Sequence, residues 1–162
     1  MFSSDILGLA ESVLEKARSQ RLRIATAESC TGGLIAAALT EIAGSSDVFE
    51  RGFVTYSNAA KTALLTVQEP LITSQGAVSE AVARAMAQGA LLHSSAQLSV
   101  AVTGIAGPGG GSLEKPVGLV HIAAARQSHA TLHERHLFGD IGRHEVRAAS
   151  VLAALGLLLC LL

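Results

Sequence analysis

The stretch RLRIATAESCTGGLIAAALTEI, residues 21–42, decides how the chain is read. Arg21 to Ala27 is a strand-like run. Leu34, Ile35, Ala38, Leu39 and Ile42 then recur at helical spacing, and Gly44 stops the pattern. Between them lies Glu28-Ser29-Cys30-Thr31-Gly32-Gly33, so a serine sits where a strand turns into a helix. Open α/β folds keep their sites at that end of the sheet. A helix N-terminus there offers unpaired N–H groups and positive dipole to an oxyanion or a phosphate. Gly32 and Gly33 let a ligand approach the backbone. The same segment also supports a plainer reading, in which Ser29 or Thr31 only caps the helix.

The rest of the chain alternates in the same way. Ile6, Leu9, Val13, Leu14 and Ala17 form a helical face behind the potential caps Ser3, Ser4 and Asp5. Phe49 to Tyr56 reads as a strand, and Asn58 to Leu65 as a short helical segment. Ser79 caps a helix whose inner face is Val82, Met86, Ala90 and Leu91. Gln97 to Val102 is a short apolar run of the buried-strand type. Val117–Ala125 and Thr131–Phe138 form an antiparallel hairpin about Gln127 and Ser128. A last helix begins near Ile141 and is apolar all round after Ser150, which predicts burial. This order predicts one α/β domain over 1–162: a three-layer α/β/α sandwich with a mixed, mostly parallel sheet.

Composition narrows the function classes. Apolar residues make up 49% of the 162 and aromatics only 3%, so the core is built from small and branched aliphatics. A net charge of −1 without a long basic run argues against a nucleic-acid partner. Cys30 and Cys160 make no metal or redox pair. The first twenty residues lack the basic and apolar regions of a signal peptide. The apolar tail Val151–Leu162 has 12 residues, short of the roughly 20 that span a bilayer, so no membrane role and a cytoplasmic protein are expected.

Several other residues are candidates for chemistry. A serine hydroxyl needs a neighbouring base. Lys61, five residues beyond Tyr56, serves as one if burial lowers its pKa; otherwise it is an exposed helix lysine. Thr103-Gly104-Ile105-Ala106-Gly107-Pro108 and three further glycines form a loop able to present N–H groups to an anion, or a plain connection. It is neither a P-loop nor a dinucleotide fingerprint. Arg143 and Arg147 share a helix face and bind an anion or face solvent. His129, His133 and His136 do not face one way on a strand, so no metal is expected there. Cys30 reads as a small buried residue rather than a second nucleophile.

Four ordered motifs, AESCTGG, VTYSNAAK, VTGIAGPGGG and FGDIGRHEVR, resemble the C-terminal domain of the CinA family, the nicotinamide-nucleotide amidohydrolases. The likeness runs from about Ile24 to Arg147. It implies a fold similar to anticodon-binding domains and hydrolysis of nicotinamide mononucleotide to nicotinic acid mononucleotide and ammonia, in pyridine-nucleotide salvage. A homodimer without metal or cofactor is implied as well. By motif, Ser29 matches the family's nucleophile, Tyr56 its catalytic tyrosine and Lys61 its general base. Ser46, Thr103, Gly104 and Arg143 match positions near the substrate, with Cys30, Thr31, Gly32 and Gly107 beside them. Longer CinA proteins add an N-terminal domain that hydrolyses ADP-ribose, and this chain resembles the stand-alone form. Two other readings stand beside this one. One is a Ser–Lys amidase with a different substrate; the other is a non-catalytic binding module linked to competence and DNA damage.

Overall fold

Residues 2–162 are described by a computed structural model. Helix α1 (Ser4–Ser19) begins where Ser3 Oγ accepts a hydrogen bond from the Ile6 N–H. Strand β1 is Ile24–Glu28, helix α2 is Leu34–Thr40, and a 3₁₀ turn over Ser45–Asp47 leads into β2 (Phe49–Val54). Helices α3 (Asn58–Leu65), α4 (Glu69–Gln75) and α5 (Glu80–Leu92) follow, then strands β3 (Leu98–Gly104), β4 (Leu119–Arg126) and β5 (Leu132–Leu137). Helix α6 (Arg143–Leu159) is the last element. The first strand starts later than its sequence suggests, because Arg21 adopts a positive φ of 56° in the turn that ends α1. Helix α4 has no strong apolar period: Ile72 is its one buried side chain, so no apolar face marks it.

The strands lie in the order β2-β1-β3-β4-β5. β1 pairs parallel with both β2 and β3, while β4 is antiparallel to its neighbours β3 and β5. Four of the five strands therefore run the same way, and only β4 is reversed. The sheet is mixed and covered on both faces.

The two faces differ in side-chain size because successive residues alternate sides. Ile24, Val100, Val102, Ile122 and Leu98 pack with α1, α2 and α6. Ala25, Ala27, Ala101, Ala123 and Ala125 face the other way and pack with α5. An alanine face lets α5 lie close, and Ser99 Oγ reaches the Ala87 carbonyl at 2.7 Å. Helix α6 is core on one side only: Val151, Ala154, Leu155 and Leu158 are buried, whereas Leu152 is exposed. The expectation of burial all round is corrected to that extent. Among the described residues no helix is long and apolar enough to cross a membrane.

From the carboxyl end of β1 the chain passes through α2 to β2 over one face. It returns through α3, α4 and α5 to β3 over the other. β1 and β3 thus hand the chain on in opposite directions, which leaves a crevice at their carboxyl ends. Ser29 is the first residue beyond β1 at that crevice, and its N–H donates to the Val102 carbonyl of β3 at 3.0 Å.

Candidate active site

The turn after β1 is organised by Glu28. This side chain is fully buried and doubles back onto the first turn of α2. Its carboxylate accepts hydrogen bonds from the N–H groups of Gly33 (3.0 Å), Ile35 (3.0 Å) and Ala36 (2.9 Å). An anion satisfying three orphan donors is a strong cap, aided by the helix dipole. The capping role considered for Ser29 or Thr31 therefore belongs to Glu28, and the Ser29 hydroxyl is free for other work.

That hydroxyl meets Lys61. Ser57 Oγ caps α3 by accepting from the Ala60 N–H at 3.0 Å, which fixes the helix start. Lys61 and Leu65, four apart, then share the inward face, and Lys61 is 1% exposed. Its Nζ donates to Ser29 Oγ at 3.1 Å and to the Thr55 carbonyl at 2.9 Å. Among the described residues no carboxylate lies within ion-pair distance of it. Burial without a counter-ion holds its pKa below the ordinary 10.5 of a lysine. The alternative of an exposed helix lysine is excluded.

Tyr56 stands at the rim. It is 59% exposed, and its Oη accepts a hydrogen bond from Arg143 Nη2 at 2.7 Å rather than pairing with Ser29 or Lys61. Arg143 also donates through Nη1 to the Gly107 carbonyl at 2.8 Å, so it ties the glycine-rich loop to Tyr56. Gly107 has φ +80°, and a Cβ there would stand 2.7 Å from Val117 Cγ1. Thr103 is buried, and its Oγ1 donates to the Ala77 carbonyl at 2.8 Å. Gly104 admits no side chain, because a Cβ would lie 2.7 Å from Val120 Cγ2. These positions gather at the crevice, but Thr103 and Gly104 are engaged in packing the strand ends.

Cys30 and Thr31 are buried, and Gly32 is exposed with φ +60°. Burial pushes the Cys30 thiol up to about 12, which removes it as a nucleophile. Arg147, unlike Arg143, turns inward: Nε donates to the Cys30 carbonyl (3.1 Å) and Nη2 to the Thr31 carbonyl (2.9 Å). Ser46 is the site residue that the fold does not bring to this crevice. It precedes β2, and Ile24 pairs with Phe49 while Glu28 pairs with Val54, so Ser46 lies at the opposite end of the sheet. The cause is α2, which carries the chain back along the sheet before β2 begins. The histidines also separate: His129 sits in the hairpin turn, while His133 Nε2 lies 2.9 Å from Nδ1 of His121 on β4.

The family model of the CinA C-terminal domain matches residues 7–162. The chain belongs to the CinA C-terminal domain family. It is 50% identical over 157 residues to a CinA-like protein of Synechococcus sp. (strain RCC307), covering 97% of this chain and 38% of that protein. A CinA-like protein of Geobacter sp. (strain M21) is 48% identical over 155 residues, 96% of this chain and 37% of the relative. The chain thus spans well under half the length of these relatives. Among solved structures, the competence/damage inducible protein CihA from Agrobacterium tumefaciens superposes with a TM-score of 0.98 at 55% identity, over 99% of this chain and 98% of that one. A CinA superfamily protein from Escherichia coli gives 0.93 at 35% identity, over 100% and 94%. The CinA fold expected from the motifs is the fold observed.

Proposed function

We propose that this CinA domain is a serine amidohydrolase that deamidates nicotinamide mononucleotide to nicotinic acid mononucleotide, releasing ammonia. The observation that carries the reading is the buried Lys61 amine 3.1 Å from Ser29 Oγ, without a carboxylate partner among the described residues. A lysine in that setting is poised to be neutral and to accept the hydroxyl proton. The substrate assignment rests on the four motifs and on membership of the family.

In the first step Lys61 Nζ takes the Ser29 proton as Oγ bonds to the carboxamide carbon. The carbonyl π electrons move onto oxygen, giving an oxyanion. The Ser29 N–H is already committed to Val102, and the Gly32 and Gly33 N–H groups are bonded to Ser29 O and Glu28. Among the described residues neither the Cys30 nor the Thr31 N–H donates to another residue; Thr31 is 0% exposed and Cys30 keeps 5%, so the Cys30 N–H is the donor assigned to the oxyanion. Such a donor contributes roughly 3 kcal/mol to the transition state. When the oxyanion collapses the C–N bond breaks, the leaving nitrogen takes the proton from Lys61, and ammonia departs. Water, deprotonated by Lys61, then cleaves the Ser29 ester and yields the carboxylate. Tyr56 orients the carboxamide at the rim, and Arg143, bracing Tyr56 and the Gly107 loop, faces the phosphate.

The test is ammonia release by the purified protein from nicotinamide mononucleotide, compared with nicotinamide riboside, nicotinamide and unrelated primary amides. Preference for the mononucleotide is expected. Equal or better turnover of an unrelated amide would move the reading to a different Ser–Lys amidase, and nucleotide binding without turnover would move it to a binding module.

A further inference from the structure

We propose that Arg147 is a positioning residue for acylation, holding the peptide planes of the Ser29 turn so that the Cys30 N–H meets the oxyanion. The inference rests on the serine amidohydrolase reading above.

The turn between β1 and α2 contains two adjacent glycines with φ of +60° and +99°, so its own backbone does little to confine it. Its order comes from what grips its carbonyls. Each peptide unit is planar and trans, so fixing a C=O also fixes the N–H on its opposite edge. Arg147 Nε holds the Cys30 carbonyl, which sets the plane between Cys30 and Thr31. Nη2 holds the Thr31 carbonyl, which sets the plane between Thr31 and Gly32 and hence the Gly32 N–H. That N–H donates to the Ser29 carbonyl at 3.0 Å, and the Ser29 carbonyl shares its plane with the Cys30 N–H. One guanidinium therefore governs three consecutive planes, and the last carries the proposed oxyanion donor.

The grip is stiff at its base. Arg147 lies in the second turn of α6, next to the fully buried Val146 and one turn before the fully buried Ser150. Among the described residues no carboxylate is within ion-pair distance of it, so its charge falls on the two carbonyls. A cation on the carbonyl edge polarises the peptide and strengthens the N–H on the other edge. The planar fork of Arg reaches two carbonyls at once, which a single ammonium does not reproduce. Arg143, one turn earlier, braces the solvent side through Tyr56 and Gly107. The two arginines of α6 thus hold different segments, and only Arg147 bonds the nucleophile turn.

The experiment compares wild type, Arg147→Lys and Arg147→Ala by ammonia release from nicotinamide mononucleotide and by the rate at which a fluorophosphonate labels Ser29. Arg147→Lys keeps charge and stem and carries the test if the alanine variant folds poorly. The expected result is a kcat fall of about 10- to 100-fold with KM changed less than about 3-fold, as for a small misplacement of a reacting constellation. Labelling slows in parallel, and millimolar guanidinium restores part of the rate of Arg147→Ala. Unchanged kcat in both variants, or a loss confined to KM, overturns the inference. A wild-type protein that neither hydrolyses the mononucleotide nor labels at Ser29 overturns the amidohydrolase reading, and this inference with it.

Discussion

Lys61 and Ser29 are 32 positions apart in sequence, and Lys61 Nζ lies 3.1 Å from Ser29 Oγ. The amine is held there by α3 and the Thr55 carbonyl, and among the described residues no carboxylate lies within ion-pair distance to reward its charge. Such a group is costly to the fold. Lys61→Met keeps the length of the side chain and removes the buried amine. It is expected to abolish ammonia release while raising stability by about 1–3 kcal/mol in urea denaturation. A Lys61→Met protein that is less stable than wild type would show that the amine is structural. Ser29→Ala should likewise lose at least about 1000-fold in kcat without loss of fold. Normal turnover by that variant would remove Ser29 as the nucleophile.

The depressed pKa of Lys61 has a definite sign in its pH dependence. Between the lowered folded value and the ordinary 10.5, the unfolded chain holds a proton that the folded protein does not. Stability from this group therefore rises with pH across that window, and below it the burial penalty is complete. The stability advantage of Lys61→Met should shrink as pH increases from neutrality toward 10.5. The wild-type kcat/KM should rise as pH passes through the lowered folded value, where Lys61 becomes a base, and level off before 10.5. A kcat/KM that climbs only near the lysine's ordinary 10.5 would argue against the neutral amine.

The alternation of strands and helices was legible because it depends on local apolar spacing, as in Leu34, Ile35, Ala38 and Leu39. The pairing of Ser29 with Lys61 was not written in any local pattern; ordered motifs pointed to it, and the fold supplies the contact. Glu28 was missed because its partners, up to eight residues ahead, exist only when the side chain folds back over the turn. Arg143 and Arg147 read alike on a helix wheel, yet one bonds Tyr56 and the other Cys30 and Thr31. What separates them is the sheet end that α6 crosses, a tertiary fact. Ser46 erred in the opposite sense: near Ser29 in sequence, it is a sheet's length away once α2 has returned the chain.

Glu28 makes a prediction about the fold rather than the chemistry. Glu28→Ala leaves the Gly33, Ile35 and Ala36 N–H groups without their acceptor at a buried helix start. The expected cost is about 3–5 kcal/mol, since hydrogen bonds to an ionised group are the stronger kind. Glu28→Gln retains one carbonyl oxygen and should lose on the order of 1–2 kcal/mol. Urea midpoints of the two variants check the order, and equal losses would mean that shape rather than charge makes the cap.

Glycines within the helices give the sharpest contrast of sign. A Cβ on Gly89 of α5 would lie 2.1 Å from the Leu65 carbonyl oxygen and 2.9 Å from Leu65 Cβ, both on α3. Gly89→Ala must therefore push α5 and α3 apart, at a cost of about 2 kcal/mol or more. Because α3 carries Lys61, the same substitution should also lower kcat by shifting Nζ from Ser29. Gly8 of α1 and Gly156 of α6 meet nothing within 4 Å of an added Cβ. Both sit inside helices, so alanine there should stabilise by about 0.5–1 kcal/mol and leave turnover unchanged. Thermal melts and ammonia release on the three variants decide the matter. A Gly89→Ala protein with native stability would mean that α5 does not pack on α3 as closely as the 2.1 Å approach to Leu65 implies.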